Sequence, residues 1–260
     1  MKKDVVTFLY HEVSDDPGVT GFIRKSNLPY KHKNDEFVDN LKAIKNTQII
    51  PSTIKNINEI SAKHKILLTF DDGGKSAMHI ADLLEKYNWL GHFFITTSKI
   101  DSSTFLKKVD INELFKRGHI IGSHSHSHPT PFSSLSVKEM TKEWRTSINI
   151  LESIIGCKIT CGSIPGGDMN KNTIESAKIS NIKYLFTSEP INRIWNEDEI
   201  ILFGRICPKA GTKISKVKNF ANNKGFIKEL IIRKIKNTLR VLLGPMYTYY
   251  VKIYHNSKTK

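Results

Sequence analysis

The sequence predicts an α/β fold built on a parallel sheet, and three observations carry that prediction. Short apolar runs alternate with helical patterns along the chain, the mark of parallel strands joined by crossover helices, in a barrel or a doubly wound sheet. At 260 residues the chain suits a single α/β barrel. Its 39% hydrophobic and 9% aromatic residues are enough to fill one core.

Residues 5–10 are apolar and read as the first strand, ending at His11-Glu12. Residues 15–33 are rich in Gly, Pro, Asn and Lys and read as a long loop. Phe37, Leu41 and Ile44 fall at helical spacing, which predicts a helix over 35–46. The run 66–70 is a second strand, followed by a helix with Met78, Ile80, Ala81, Leu83 and Leu84 on its apolar side. Residues 91–97 form the next strand. Asp110 and Glu113 have capping-box spacing, with Asp110 in the cap position of a helix that runs to Arg117 and is closed by Gly118. Residues 119–123 are a strand. Ser136 and Glu139 form a second capping box, opening a long helix through Ile155 that Gly156 stops. Strands follow at 159–164, 184–187 and 200–203, with a helix over 172–180.

The net charge of +15 is unevenly placed. From Lys209 onward, thirteen Lys and Arg stand against one acid, Glu229. The chain therefore divides into a barrel domain, 1–208, and a basic extension, 209–260. Within the extension, Ile227, Leu230, Ile231, Ile235, Leu239 and Leu242 line one face of a helix over 226–243, with Lys228, Arg233, Lys236 and Arg240 off that face. Such a helix suits an anionic membrane surface, or it packs its apolar face on the barrel and shows its charges to water. Nucleic acid is disfavoured, because the aromatics around Tyr247, Tyr249 and Tyr250 do not interleave with the basic residues along a groove-like surface. No apolar window approaches the ~18 residues of a spanning helix, and residues 5–10 are too short for the core of a leader. These features predict a cytoplasmic protein, peripheral at the inner face of the cytoplasmic membrane. Cys157, Cys161 and Cys207 lack the partners of a zinc finger and read as reduced, buried thiols.

The chemistry collects at two strand ends. Asp71 and Asp72 follow the strand 66–70 and precede Gly73-Gly74. His124, His126 and His128 follow the strand 119–123. Ligands and catalytic groups of parallel α/β folds gather at such ends. Asp72, His124 and His128 make an oxygen-nitrogen-nitrogen ligand set that leaves coordination positions open, as a catalytic metal site requires. The neighbouring Asp71 is then available as a general base. His126 can substitute for either histidine neighbour, but a role in shaping the loop suits it better.

Thr69-Phe70-Asp71-Asp72-Gly73 and His124-Ser125-x-x-His128 resemble the first two motifs of the polysaccharide deacetylases, the NodB-homology family of carbohydrate esterases, and Tyr10-His11 resembles their opening strand. The resemblance spans residues 5–207. It implies an irregular (β/α)7 TIM-like barrel (the NodB-homology fold). It also implies a divalent metal, zinc before cobalt or manganese, held by Asp72, His124 and His128, with Asp71 as general base. The implied reaction is hydrolysis of an N-acetyl group on an amino sugar of a polysaccharide or lipid-linked precursor, releasing acetate. Two family features are missing. Residues 162–167 hold no arginine to pair with the catalytic carboxylate, and no late Leu-x-x-His supplies a general acid, since only His255 follows His128. Arg205 is the candidate for the missing charge, and His11 or Asp71 itself for the proton donor. The Ser-x-Pro-Gly-Gly and Phe-Thr-Ser-Glu stretches resemble a branch found in surface-polysaccharide synthesis. A deformylase of a lipid-linked formamido sugar and a non-catalytic saccharide-binding barrel are the alternatives; a binder has no need of Asp71.

Overall fold

The computed structural model describes residues 4–59 and 64–256. Strand β1 (Val5–Tyr10) is followed by two short segments, β2 (Glu12–Val13) and β3 (Lys31–His32), which pair with each other. Next come α1 (Asn34–Lys45), β4 (Lys65–Phe70), α2 (Ala77–Glu85), β5 (His92–Ile95), α3 (Lys108–Lys116) and β6 (Ile120–Ser123). The chain continues through α4 (Val137–Ile155), β7 (Cys161–Ser163), α5 (Lys171–Ile179), β8 (Tyr184–Phe186), β9 (Ile194–Glu197) and β10 (Ile200–Phe203). It ends in α6 (Ile214–Ala221) and α7 (Phe226–Asn256), the latter broken at Gly244.

One sheet runs β1-β4-β5-β6-β7-β8-β10-β9. All its pairings are parallel except the hairpin of β9 with β10. Just beyond β10 the sheet curls back onto β1, where Leu9 N–H donates to the Ile206 carbonyl and Ile206 N–H to the Thr7 carbonyl, both at 2.8 Å. Seven parallel strands thus form a nearly closed barrel, the (β/α)7 architecture that the family resemblance implies and one of the two that the strand–helix alternation allows.

Strand residues alternate between two cores, as period-2 geometry dictates. Val6, Phe8, Ile66, Leu68, Phe70 and Phe93 face the helices in one continuous cluster. Val5, Leu67, Phe94, Cys161, Phe186 and Phe203 fill the barrel interior. Helix α4 begins at its expected capping box, the Ser136 hydroxyl accepting from Glu139 N–H and the Glu139 carboxylate accepting from Ser136 N–H. It stops where Gly156 takes φ +67.

Several expectations need correction. Asp110 is not the cap of α3 but its third residue, accepting from the Lys107 N–H at 2.8 Å; the charged side chain favours the first turn either way, so spacing alone misplaced the start. Cys157 is exposed, unlike Cys161, because it lies in the turn after α4. The loop over 15–33 contains a 3-10 turn (Lys25–Tyr30) and β3. Strand β9 and helix α6 escaped detection, β9 because it is a half-exposed edge strand and α6 because it is only two turns long. In α7 the apolar face does not pack on the barrel: Ile227, Ile231, Ile235 and Leu242 are exposed, and Phe226 docks instead. Leu239, Lys236 and Arg240 have no described side chains.

Candidate active site

The alternation that fills the barrel also delivers the polar groups. In β4, Leu67 and Thr69 point inward, and Asp71 is next on the same face. In β10 the register runs from Phe203 to Arg205, in β7 from Cys161 to Ser163, in β6 from Ile120 to His124, and in β1 from Leu9 to His11. These five polar side chains converge at the carboxyl end of the strands, one rung above the apolar filling.

Asp71 and Arg205 form the centre of this rung. The guanidinium donates from Nη1 to Asp71 Oδ1 at 2.8 Å and from Nη2 to Oδ2 at 2.9 Å. It also donates to the Thr187 carbonyl at 2.7 Å and the Thr69 hydroxyl at 3.2 Å. The Ser163 hydroxyl accepts from Arg205 at 2.8 Å and donates to Asp71 Oδ2 at 2.9 Å. Arg205 is 1% exposed, and its fixed donor fork suits a buried carboxylate. Burial presses the Asp71 carboxyl upward, but the charges of Arg205 and His124 outweigh it and hold Asp71 below its ordinary value. Asp71 is therefore ionised.

Asp72 turns away from Asp71 by adopting φ +76, with Gly73 following at φ +79. Its Oδ1 lies 3.4 Å from His124 Nε2 and 3.6 Å from His128 Nε2. Gly74 has no room for a side chain: a Cβ there would run into the buried Glu12 carboxylate. Burial favours a neutral Asp72, yet its hydrogen bond to His124 and the neighbouring imidazoles bring it far below the usual carboxylate range. His124 donates from Nδ1 to the Ser163 carbonyl at 2.9 Å, which aims its Nε2 at Asp72. Burial lowers the His124 value, but the charge of Asp71 and the hydrogen bond to Asp72 outweigh it and raise it, so Nε2 carries a proton that a bound cation would replace. Burial lowers the His128 value to about 4, helped by His124; His128 is a neutral imidazole with an available lone pair.

The ligand atoms of Asp72, His124 and His128 all lie within 4.8 Å of one another. One carboxylate oxygen and two imidazole nitrogens are a fitting donor set for a divalent cation, and the three leave positions open for water and substrate. The loop that carries the histidines is pinned from α4. The Glu143 carboxylate accepts from His126 N–H at 2.9 Å and Ser127 N–H at 2.7 Å. His126 itself turns aside, its Nδ1 3.0 Å from the Thr97 hydroxyl. His11 lies against the Tyr30 ring and faces the same centre; burial lowers its value below that of a free imidazole, against the pull of Asp72 and Asp71.

These groups form the floor of a groove of about 480 Å³ whose walls include Tyr30, Gly166, Lys209, Glu229 and Arg233. All six residues singled out from the sequence, Asp71, Asp72, His11, His124, His128 and Arg205, line it. Sequence reasoning missed Ser163, which touches both Asp71 and Arg205, and Glu143. The signal for Ser163 was its parity with Cys161 at a strand end; Glu143, inside a long helix, gave none.

Fold and site together define a (β/α)7 barrel with a three-residue candidate metal centre and a buried carboxylate beside it. Residues 58–185 match the family model of polysaccharide deacetylases, so this part of the chain carries a polysaccharide deacetylase domain. A curated relative, the peptidoglycan-N-acetylmuramic acid deacetylase PdaC of Bacillus subtilis (strain 168), is 36% identical over 109 residues, 40% of this chain and 22% of that protein. The chain thus spans under a quarter of that relative's length. Among solved structures, a polysaccharide deacetylase from Bacillus cereus aligns with a TM-score of 0.72 at 18% identity, covering 85% of this chain and 69% of that one. A de-N-acetylase from Aggregatibacter actinomycetemcomitans aligns at 0.71 and 20% identity, covering 84% of this chain and 100% of that one. These two likenesses establish the fold.

Proposed function

We propose that this protein is a metal-dependent carbohydrate N-deacetylase, removing the N-acetyl group from an amino sugar of a polysaccharide or lipid-linked precursor. The observation that carries the reading is the ionised Asp71, held bidentately by Arg205 while its Oδ2 lies 3.9 Å from His124 Nε2. A proton acceptor so close to a metal-ligand set serves hydrolysis and has no use in binding alone.

Asp72, His124 and His128 would hold the cation, zinc by the preference of this donor set, with cobalt or manganese able to replace it. When bound, the cation supplies Lewis acidity toward water and the amide carbonyl. Asp71 takes a proton from the attacking water. The new carbon–oxygen bond forms, the carbon–nitrogen bond breaks, and the departing nitrogen receives a proton, giving acetate and a free amine. Two groups can deliver that proton: Asp71, which has just acquired one, and His11 across the groove. Arg205 and Ser163 hold the Asp71 carboxylate in place throughout.

The test is acetate release from a panel of N-acetylated oligosaccharides, including peptidoglycan fragments because the relative PdaC is named for peptidoglycan, with zinc or cobalt added. Release that is abolished by a chelator and restored by the metal supports the proposal. No release from folded, metal-loaded protein across the panel would overturn it. A His11→Ala variant separates the two proton donors: retained turnover assigns the step to Asp71.

A further inference from the structure

Helix α7 turns its apolar side away from the barrel. Ile227, Ile231, Ile235 and Leu242 are 75%, 54%, 56% and 74% exposed. At about 100° per residue these four share a sector of about 80°. Lys228 and Lys234, both exposed, border that sector on its two sides. The opposite side holds the helix to the domain. Phe226 is buried, and Arg233 donates to the Glu189 carboxylate at 2.9 Å and the Gly167 carbonyl at 2.7 Å. The stripe is thus not a face left over from packing; docking uses different residues.

We infer that this outer face of α7 is a docking surface for an anionic phospholipid bilayer. An apolar stripe with lysine flanks matches the layering of a membrane interface, with acyl chains beneath and phosphates at the rim. The segment from Lys209 onward carries thirteen Lys and Arg against Glu229 alone, so the charge complements anionic headgroups. It argues against a second copy as the occupant, since two such stripes would set lysine flanks against lysine flanks. No helix among the described residues is long and apolar enough to cross a membrane, so this one lies on the surface. Glu229, Ile232 and Arg233 of the same helix also line the catalytic groove. Seating α7 on lipid therefore brings the groove to the headgroup layer, where a saccharide borne on a lipid is displayed.

The experiment is co-sedimentation of the full chain with vesicles of phosphatidylcholine alone and of phosphatidylcholine mixed with phosphatidylglycerol. Binding is expected only to the mixed vesicles, weakening as salt screens the charges. An Ile231→Asp, Ile235→Asp double variant should bind at least about tenfold more weakly, because each isoleucine withdraws its apolar area from water on binding. Its melting temperature should match that of the parent, since both side chains are exposed in solution. A Lys228→Glu, Lys234→Glu variant, which keeps the stripe, should lose the preference for phosphatidylglycerol. Equal binding to both vesicles, no binding, or unchanged binding by the isoleucine variant would overturn the inference. So would a dimer in solution that the isoleucine variant dissolves. Sedimentation is read without any turnover, so this result is independent of acetate release.

Discussion

Asp71 and Asp72 are adjacent and chemically identical, yet the structure gives them opposite surroundings. Asp71 faces a guanidinium and a hydroxyl; Asp72 faces two imidazoles. The difference comes from one backbone feature, the positive φ of Asp72, which swings its side chain off the strand register. An Asp71→Asn variant should keep the cation, measured by metal content, and lose turnover by about 10²–10⁴-fold, the ordinary contribution of a general base. Arg205→Lys keeps a positive charge but loses the fork. Burial then raises the Asp71 carboxyl with less to oppose it. Because the base must be ionised, the acid limb of the kcat/KM profile should move to higher pH. A pH profile of the variant that overlays the parent's would show that Arg205 does not set Asp71. Removing the charge outright, as in Arg205→Ala, leaves Asp71 buried and unpaired and should cost about 3–5 kcal/mol of stability, read by urea denaturation.

Secondary-structure elements act here mainly by parity. A strand that puts Leu67 and Thr69 into the barrel must put Asp71 there too, and the same counting places Ser163 and Arg205. This much is legible in the sequence once the strands are found. What lies on helices is harder to read. Glu143 reaches the histidine loop from the middle of α4, accepting two backbone N–H groups and the Ser127 hydroxyl. Its polar neighbours in sequence give it no distinction. A Glu143→Ala variant leaves those donors unpaired and frees the loop that carries His124 and His128. Metal affinity, measured by competition with a chromophoric chelator, should fall about 10–100-fold, the usual effect of losing a group that orients ligands. The helix itself, capped at Ser136 and Gly156, should keep its circular dichroism signal.

Across the whole molecule, the barrel depends on polar groups buried in a single protonation state. His92 on β5 is fully buried, its Nδ1 donating to the Leu68 carbonyl at 2.9 Å and its Nε2 accepting from Ile54 N–H at 3.1 Å. A second proton would set N–H against N–H. Burial accordingly lowers its value to about 4. With the folded value below the unfolded value of about 6.5, the unfolded chain takes up the proton first, so stability falls as pH drops between these two values. The loss from this residue is about 3 kcal/mol. Urea midpoints at neutral and mildly acid pH should show it, and a His92→Gln variant should show a smaller fall. An equal fall in both would assign acid sensitivity elsewhere.

The alternation of strands and helices, the two strand ends that hold the aspartates and histidines, and the uneven charge of the chain are all legible in the amino-acid sequence. Each is a local property: apolar periodicity, capping spacing and composition are written in neighbouring residues. Tertiary structure decided three things that neighbours cannot encode. Barrel closure at Ile206 brings Arg205 to Asp71 across 134 residues of sequence. The packing of α4 sends Glu143 to the histidine loop. The docking of α7 through Phe226 and Arg233 decides which of its faces meets solvent. The apolar stripe of α7 was visible in the sequence, but amphipathic spacing names a face without saying what covers it. Only the position of the barrel against the helix shows that the covered side is the other one.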